Sequence, residues 1–389
     1  MRFRFQAFLL SFLFGDTLMS NMGCVGRTSR VWMVVASVVA FVDWGREGVA
    51  GPLDLGCVAA DSKWIMHLDM DAARESTVMQ RAYAMAVKMH PHSEHVMAMV
   101  SGMTGMDPRK DLHGITAYGM DADKRNAVMI VHADARRDFL TKMVEKATDH
   151  KKSQYGDYVL HSWTHKGWQR GWSGPAVGAF FNDDVIVFGR TETIVKAAID
   201  LLAGSAKGIP GTGAMLSGRT RPGSILIARA VAVDPNTRCP VLKPCSAFRV
   251  AFGEDKGALF YRGQLEMQNN EAAADVESVV RGFVALASLK YGNEEAAKRI
   301  MKEITVDTDK SVCTIRWDAS TDDAWSVMEQ AAKTWEHKRQ QRAIKGMLGQ
   351  CQHCDQDGCK GCPEPGKCPL EAGQSGGGAA ERPLTEDEF

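Results

Sequence analysis

Short runs of alternating apolar and polar residues recur from Trp64 to Trp317, and between them stand stretches with apolar residues at helical spacing. A chain patterned this way buries its apolar surface by laying helices on sheets. Strands are expected at Trp64–Asp69, Gly114–Tyr118, Ala127–Ala133, Tyr158–Thr164, Ala176–Phe181 and Val185–Gly189. Further along they are expected at Ile225–Val233, Ala247–Phe252, Ala258–Met267, Ile304–Val306 and Val312–Trp317. Helices are expected at Ala72–Met89, Glu94–Met103, Arg136–Lys146, Glu192–Leu202, Glu271–Tyr291, Glu294–Glu303 and from Thr321 to about Ile344. Many of the strands follow one another through turns, which favours antiparallel pairing over a wound parallel sheet.

The glycine-rich stretch 204–223, with Pro210 and Pro222, reads as a linker. It divides the chain into a leader (1–50), an α+β half (58–203), the linker, a second α+β half (224–346) and a cysteine-rich tail (347–389). The fold class expected is α+β in two consecutive halves. Each half is a mainly antiparallel sheet with its helices packed on one face, ferredoxin-like or related. The tail, five cysteines followed by Gly/Ser-rich and acidic residues ending in LTEDEF, cannot bury a core.

Location is written in the N-terminal region. Arg27 and Arg30 precede the apolar run Val31–Val42, and Gly48-Val49-Ala50 offers the small residues a signal peptidase reads. An upstream run, Phe5–Phe14 after Arg2 and Arg4, has a similar character, so the start is either Met1 or Met22. Neither run reaches the roughly 18 to 20 apolar residues that span a bilayer. Export to the periplasm or cell envelope is therefore expected. The 47 basic and 47 acidic residues cancel, so no overall field recruits nucleic acid or an anionic surface.

Beyond the leader nine cysteines remain, an odd number that leaves at least one free, metal-bound or paired with another chain. Cys239 and Cys245 flank a short Pro-containing loop that a disulfide could close. In the tail, CQHCDQDGCKGC sets Cys351 and Cys354 in one C-x-x-C knuckle and Cys359 and Cys362 in a second, four thiolates that could hold one zinc. Disulfides compete with that reading in an oxidising compartment. No covalent haem is suggested.

Two aspartates one residue apart, Asp69 and Asp71, end the first strand in HLDMDA. Strand-Asp-x-Asp also opens haloacid-dehalogenase-type phosphotransferases, but Ala73 stands where that family usually carries a Thr. The junction recurs as strand, Asp-Ala, helix at Asp71, Asp134 and Asp318. One shared role is expected for all three: a helix cap, the carboxylate accepting from first-turn amides. Asp71 is the expected cap of the first helix, and Ser320 with Asp323 the expected capping pair at the third.

Other constellations are weaker. Met85, Met89, Met97, Met99, Met103 and Met106, interleaved with His90, His92 and His95, suit copper, although Met at helical spacing is ordinarily core filler. His161, Trp163 and His165 would share one face of a strand, with Trp168 and Trp172 following, and could form a ridge for an envelope protein or carbohydrate. No G-x-S-x-G, H-E-x-x-H or phosphate-loop signature is present. A hydrolase would need dispersed residues, such as His113, His132, His161 or His165 meeting a carboxylate in the fold.

The stretches WIMHLDMDAARES, GMDPRKDLHGITAYG and VIVFGRTETIVKAAIDLLAG resemble exported proteins of planctomycete-type bacteria with no assigned activity, over roughly Lys63 to Trp335. The resemblance implies a two-part α+β fold and export, and carries over no catalytic residue. The function expected is a non-enzymatic exported structural or binding module of the cell envelope. The alternatives are a metal-binding protein and, third, a hydrolase.

Overall fold

The computed structural model describes residues 53–89, 92–121, 126–165, 174–210, 216–218, 220–231 and 243–350, with 354–355 and 358–359 beyond them. The chain divides into two units, Met1–Val327 and Met328–Phe389.

The first unit is built on strands β1 (Trp64–Asp69), β2 (Leu112–Gly119), β3 (Ala127–Ala133), β4 (Lys151–Tyr155), β5 (Tyr158–His165), β6 (Gly174–Phe180) and β7 (Val185–Gly189). They continue as β8 (Ser224–Ala230), β9 (Cys245–Asp255), β10 (Ala258–Met267), β11 (Thr305–Asp309) and β12 (Val312–Ser320). All twelve lie in one sheet, in the order β11-β12-β10-β9-β8-β1-β2-β3-β7-β6-β5-β4. Every neighbouring pair is antiparallel. The protein is thus α+β with an antiparallel sheet. The expectation of a separate sheet for each half gives way to continuity, because β1 pairs with β8 from Trp64↔Ala230 to Leu68↔Leu226 and joins the halves edge to edge.

The described helices are α1 (Met70–Glu75), α2 (Thr77–Met89), α3 (His92–Thr104), α4 (Pro108–Asp111), α5 (Arg137–Glu145), α6 (Glu192–Leu202), α7 (Asn270–Tyr291), α8 (Glu295–Lys302) and α9 (Thr321–Gln350). The single helix expected over Ala72–Met89 breaks at Ser76. There the hydroxyl accepts from Met79 N at 3.2 Å and donates to Glu254 at 2.6 Å, and Glu254 also accepts from Val78 N at 3.1 Å. A carboxylate from β9 therefore caps the start of α2.

Helices cover both faces of the first half, not one as expected. On one face, here the front, Val128, Ile130, Val185 and Val187 pack with Val195, Ala198 and Ile199 of α6. The intervening residues Val131, Ala133 and Ile186 pack on the back face with Leu140 of α5. β3 and β7 are apolar at nearly every position, the composition a strand needs when both its faces are buried. The second half is one-sided. Phe248, Val250, Leu265, Val306 and Cys313 meet Ala273, Val276 and Val280 of α7 on the back, while the register places Arg249, Arg262, Gln264 and Asp318 on the front.

The stretch read as a linker carries core residues. Ile209 and Leu216 are buried with the α6 cluster, and Ile209 N donates to Leu55 O and Val58 O at 3.1 and 3.0 Å. In the second unit α9 runs on to Gln350, and two-residue strands β13 (Cys354–Asp355) and β14 (Gly358–Cys359) form an antiparallel ladder.

Candidate functional site

The strongest gathering of polar chemistry lies where β1, β2 and β3 end. Alternation puts Ile65, His67 and Asp69 on the front face, and the register sets His67 beside Thr116, and Gly114 between Asp69 and His132. His67 and Asp69 are buried at 3% and 9% exposure. His67 Nδ1 lies 2.9 Å from Thr116 Oγ1, and its Nε2 has no hydrogen-bond partner. Burial, with the nearby His132, holds His67 down to about 4. His132 is lowered too, first by burial and then by His113. Asp69 moves the other way. Burial raises it to about 6 against the opposing pull of the Ala72 amide.

Asp69, not Asp71, caps α1: its carboxylate accepts from Ala72 N at 2.8 Å. The helix starts two residues earlier than the pattern suggested, so the first aspartate takes the cap position and the second falls inside the first turn. Asp71 pairs there with Arg74 and lies 3.1 Å from His113 Nδ1. Arg74 completes the group, with Nη2 3.2 Å from His113 Nδ1 and Nη1 donating to Leu112 O at 2.8 Å.

The shared cap expected at the other two Asp-Ala junctions does not hold either. Asp134 reaches to 3.2 Å from His113 Nε2, without the alignment of a hydrogen bond. The cap position of α5 is Arg136, which makes no side-chain cap bond. Asp318 accepts from Arg221 at 2.9 Å and pairs with Arg262, while the Arg221 guanidinium stacks 4.2 Å above the Phe260 ring. The capping pair expected at the third junction does form in part, Asp323 N donating to Ser320 Oγ at 3.1 Å. Strand-Asp-Ala-helix is one local pattern with three outcomes, because the partner across the sheet differs each time.

His113 thus sits between Asp71 and Asp134 with a guanidinium on its Nδ1 side, its side chain 5% exposed. An imidazole oriented by carboxylates is the core of many acid–base sites. Here its partners among the described residues are carboxylates and an arginine, with no hydroxyl or thiol among them. Arg74 escaped the sequence reading and Asp134 was expected only as a cap; the one signal for the grouping was Arg74 three residues after Asp71, a helical ion-pair spacing.

The remaining candidate residues scatter. His161 turns to His150, their rings stacked at 5.3 Å with Nδ1 3.1 Å from His150 Nε2. His161, Trp163 and His165 do share one strand, β5, whereas Trp168 and Trp172 lie outside the described residues. In the Met/His segment Met97 is buried, but Met99 and Met103 are 42% and 44% exposed on α3; His90 lies outside the described residues. Cys239 also lies outside them, while Cys245 is buried, unbridged and donates to Ala247 O at 3.2 Å. Of the tail cysteines, Cys351 and Cys362 lie outside the described residues, and Cys354 and Cys359 are register partners across the β13–β14 ladder. Among the described residues no group of His, Cys, Asp and Glu is arranged to hold a metal ion, and no helix is long and apolar enough to cross a membrane.

Fold and site together define an α+β protein whose first unit is built on one antiparallel sheet, with ionisable groups paired where β1, β2 and β3 end. No family model and no curated protein matches the chain. Among solved structures, crystal form I of TP0453 aligns with a TM-score of 0.38 at 8% identity, covering 72% of this chain and 98% of that one. Crystal form IV of TP0453 gives the same score and identity over 72% and 97%.

Proposed function

We propose that the protein is an exported, non-enzymatic structural or binding module of the cell envelope, built from two related α+β halves. One observation carries this reading: Asp69, Asp71 and His113 Nδ1, the groups nearest to a catalytic pattern, are engaged by a backbone amide, by Arg74 or by one another. Asp69 serves a backbone amide, and Asp71 and Arg74 pair beside the buried His113, with the exposed Asp134 at its other nitrogen.

The halves support the same reading. Around the β1–β8 seam each half contains a three-strand meander, then helix, then a hairpin whose second strand returns beside the third, then a helix: β1-β2-β3-α5-β6-β7-α6 and β8-β9-β10-α7-β11-β12-α9. In this reading each half is a split α+β unit of the ferredoxin-related kind. The resemblance to exported planctomycete-type proteins and the leader-like Val31–Val42 run point to the envelope.

Cell fractionation with N-terminal sequencing tests export. The expected product is an envelope or periplasmic form beginning near Gly51; an intact N-terminus in the cytosol would reject it. The metal-binding alternative is favoured by one observation, the Cys354↔Cys359 register, which sets one cysteine of each C-x-x-C knuckle opposite the other. Elemental analysis of the mildly purified protein decides it: one zinc per chain, lost in Cys354→Ser with Cys359→Ser, supports the site, and no stoichiometric metal removes it.

A further inference from the structure

Among the described residues of the first unit no further strand pairs with the sheet's two edges, and the edges differ in charge. β4, Lys151–Tyr155, carries exposed Lys151 and Lys152, the latter paired with Glu145; β11, Thr305–Asp309, carries exposed Asp307 and Asp309. An edge strand offers unpaired backbone groups to any strand of matching length, and both edges here are five residues long.

Direction follows from strand number. Twelve strands, all antiparallel to their neighbours, leave the two edges running in opposite directions. A second copy placed beside the first in the same orientation therefore brings its β11 antiparallel to β4, with front meeting front and back meeting back. Matched end to end, that register sets Lys151 opposite Asp309 and Ser153 opposite Asp307, all on the front face. Edges of the same kind carry charge of the same sign and repel, so the pattern selects head-to-tail contact over a symmetric dimer.

Internal symmetry marks the same edge. The counterpart of β11 in the first half is β6, whose outer side is paired by β5. In the second half no described strand takes that position, and what stands there is the Arg281 guanidinium, donating to Val306 O.

We infer that copies of this chain join head to tail by β-strand addition, the Lys-bearing β4 of one molecule pairing with the Asp-bearing β11 of the next. This deepens the structural reading and rests on it. A heterologous contact of this kind leaves one edge free on each end of a dimer, so growth continues past the dimer, into open arrays or, where the rotation between copies closes, a ring. Arg281 guards the edge and must swing away for the strand to enter.

Sedimentation velocity and negative-stain microscopy of the purified full chain test the inference. The expected result is concentration-dependent growth beyond the dimer, weaker at about 500 mM than at about 10 mM salt because the edge charges are exposed. K151E with K152E, and separately D307K with D309K, should each weaken association about tenfold or more. The two variants mixed should assemble again, since each then offers the other an edge of opposite sign. Arg281→Ala should strengthen assembly by clearing Val306 O. Unchanged circular dichroism keeps these results free of misfolding. A monomer at every concentration, growth that stops at a dimer, or a mixture that stays monomeric overturns the inference. Because the assay uses purified protein, its failure leaves the fractionation result untouched, and the reverse holds as well.

Discussion

At the residue scale, His67 and Asp69 are two buried neighbours on one face whose titrations oppose each other. Asp69 ordinarily ionises near 3.8 and here near 6, so the folded state holds that proton more tightly than the unfolded chain. Its contribution to stability is complete below 3.8 and is lost as pH rises through 6. His67 ordinarily takes a proton near 6.5 but in the fold only near 4, so its contribution is complete above 6.5 and is lost as pH falls toward 4. Each shift corresponds to roughly 3 kcal/mol, and over pH 4 to 6 the two slopes nearly cancel. His132, also lowered by burial, adds in the His67 direction. His67→Gln should therefore expose the Asp69 slope, with urea-unfolding free energy falling as pH rises from 4 to 6. Asp69→Asn keeps a capping oxygen and should show the reverse, a free energy that climbs with pH. Two variants whose profiles keep the parent's slope over pH 4 to 6 would refute this account. None of it was legible from HLDMDA: the pattern announces a cap, but which aspartate caps and what the other meets depend on Arg74, His113 and Asp134 arriving from elsewhere.

At the element scale, the strands and helices were legible where periodicity was strong. β1, β3, β7, β10 and α6 fall at the expected residues, each an apolar run or stripe closed by a turn or cap signal. β4 was not expected, because an edge strand reading KKSQY is polar by design and carries no apolar alternation. The break at Ser76 was hidden for a different reason. Ala72 to Met89 is continuous in helical pattern, and the interruption is enforced by Glu254, 178 residues away from Ser76. Glu254→Ala should strand the Val78 amide and the Ser76 hydroxyl and cost about 1.5–3 kcal/mol, read as a lower urea midpoint with an unchanged slope. The glycine-rich stretch misled in the same way, since glycine can serve close packing as well as freedom. A Cβ at Gly208 would stand 2.2 Å from Gly56 O, and residue 208 bridges to Ala59. Gly208→Ala should therefore cost about 1–3 kcal/mol by forcing that backbone apart, whereas Gly204→Ala meets nothing within 4 Å there and is opposed only by its positive φ of 72°.

At the scale of the molecule, pattern along the chain could not reveal which strand lies next to which. Alternation fixes the face a residue takes but not its neighbour across the ladder, and so one sheet for each half was as consistent with the sequence as one sheet through both. The β1–β8 seam decides between them and has an energetic consequence. Trp64, at the start of β1, packs against the second half's core under α7, while Ile227, in β8, is buried in the first half's core with α6. Each half thus completes the other's apolar cluster, and Glu254 of the second caps α2 of the first. Opening the seam would expose both clusters at once, leaving no intermediate with one half folded at little cost. Calorimetry of the purified protein should then show one transition spanning both halves, with calorimetric and van't Hoff enthalpies in agreement for the Met1–Val327 unit. Leu226→Pro, which places a ring and removes a donor in the middle of β8, should lower that transition as a whole without splitting it. Two separable peaks, one surviving the substitution unchanged, would mean that the halves fold on their own and that the seam is only a contact between finished units.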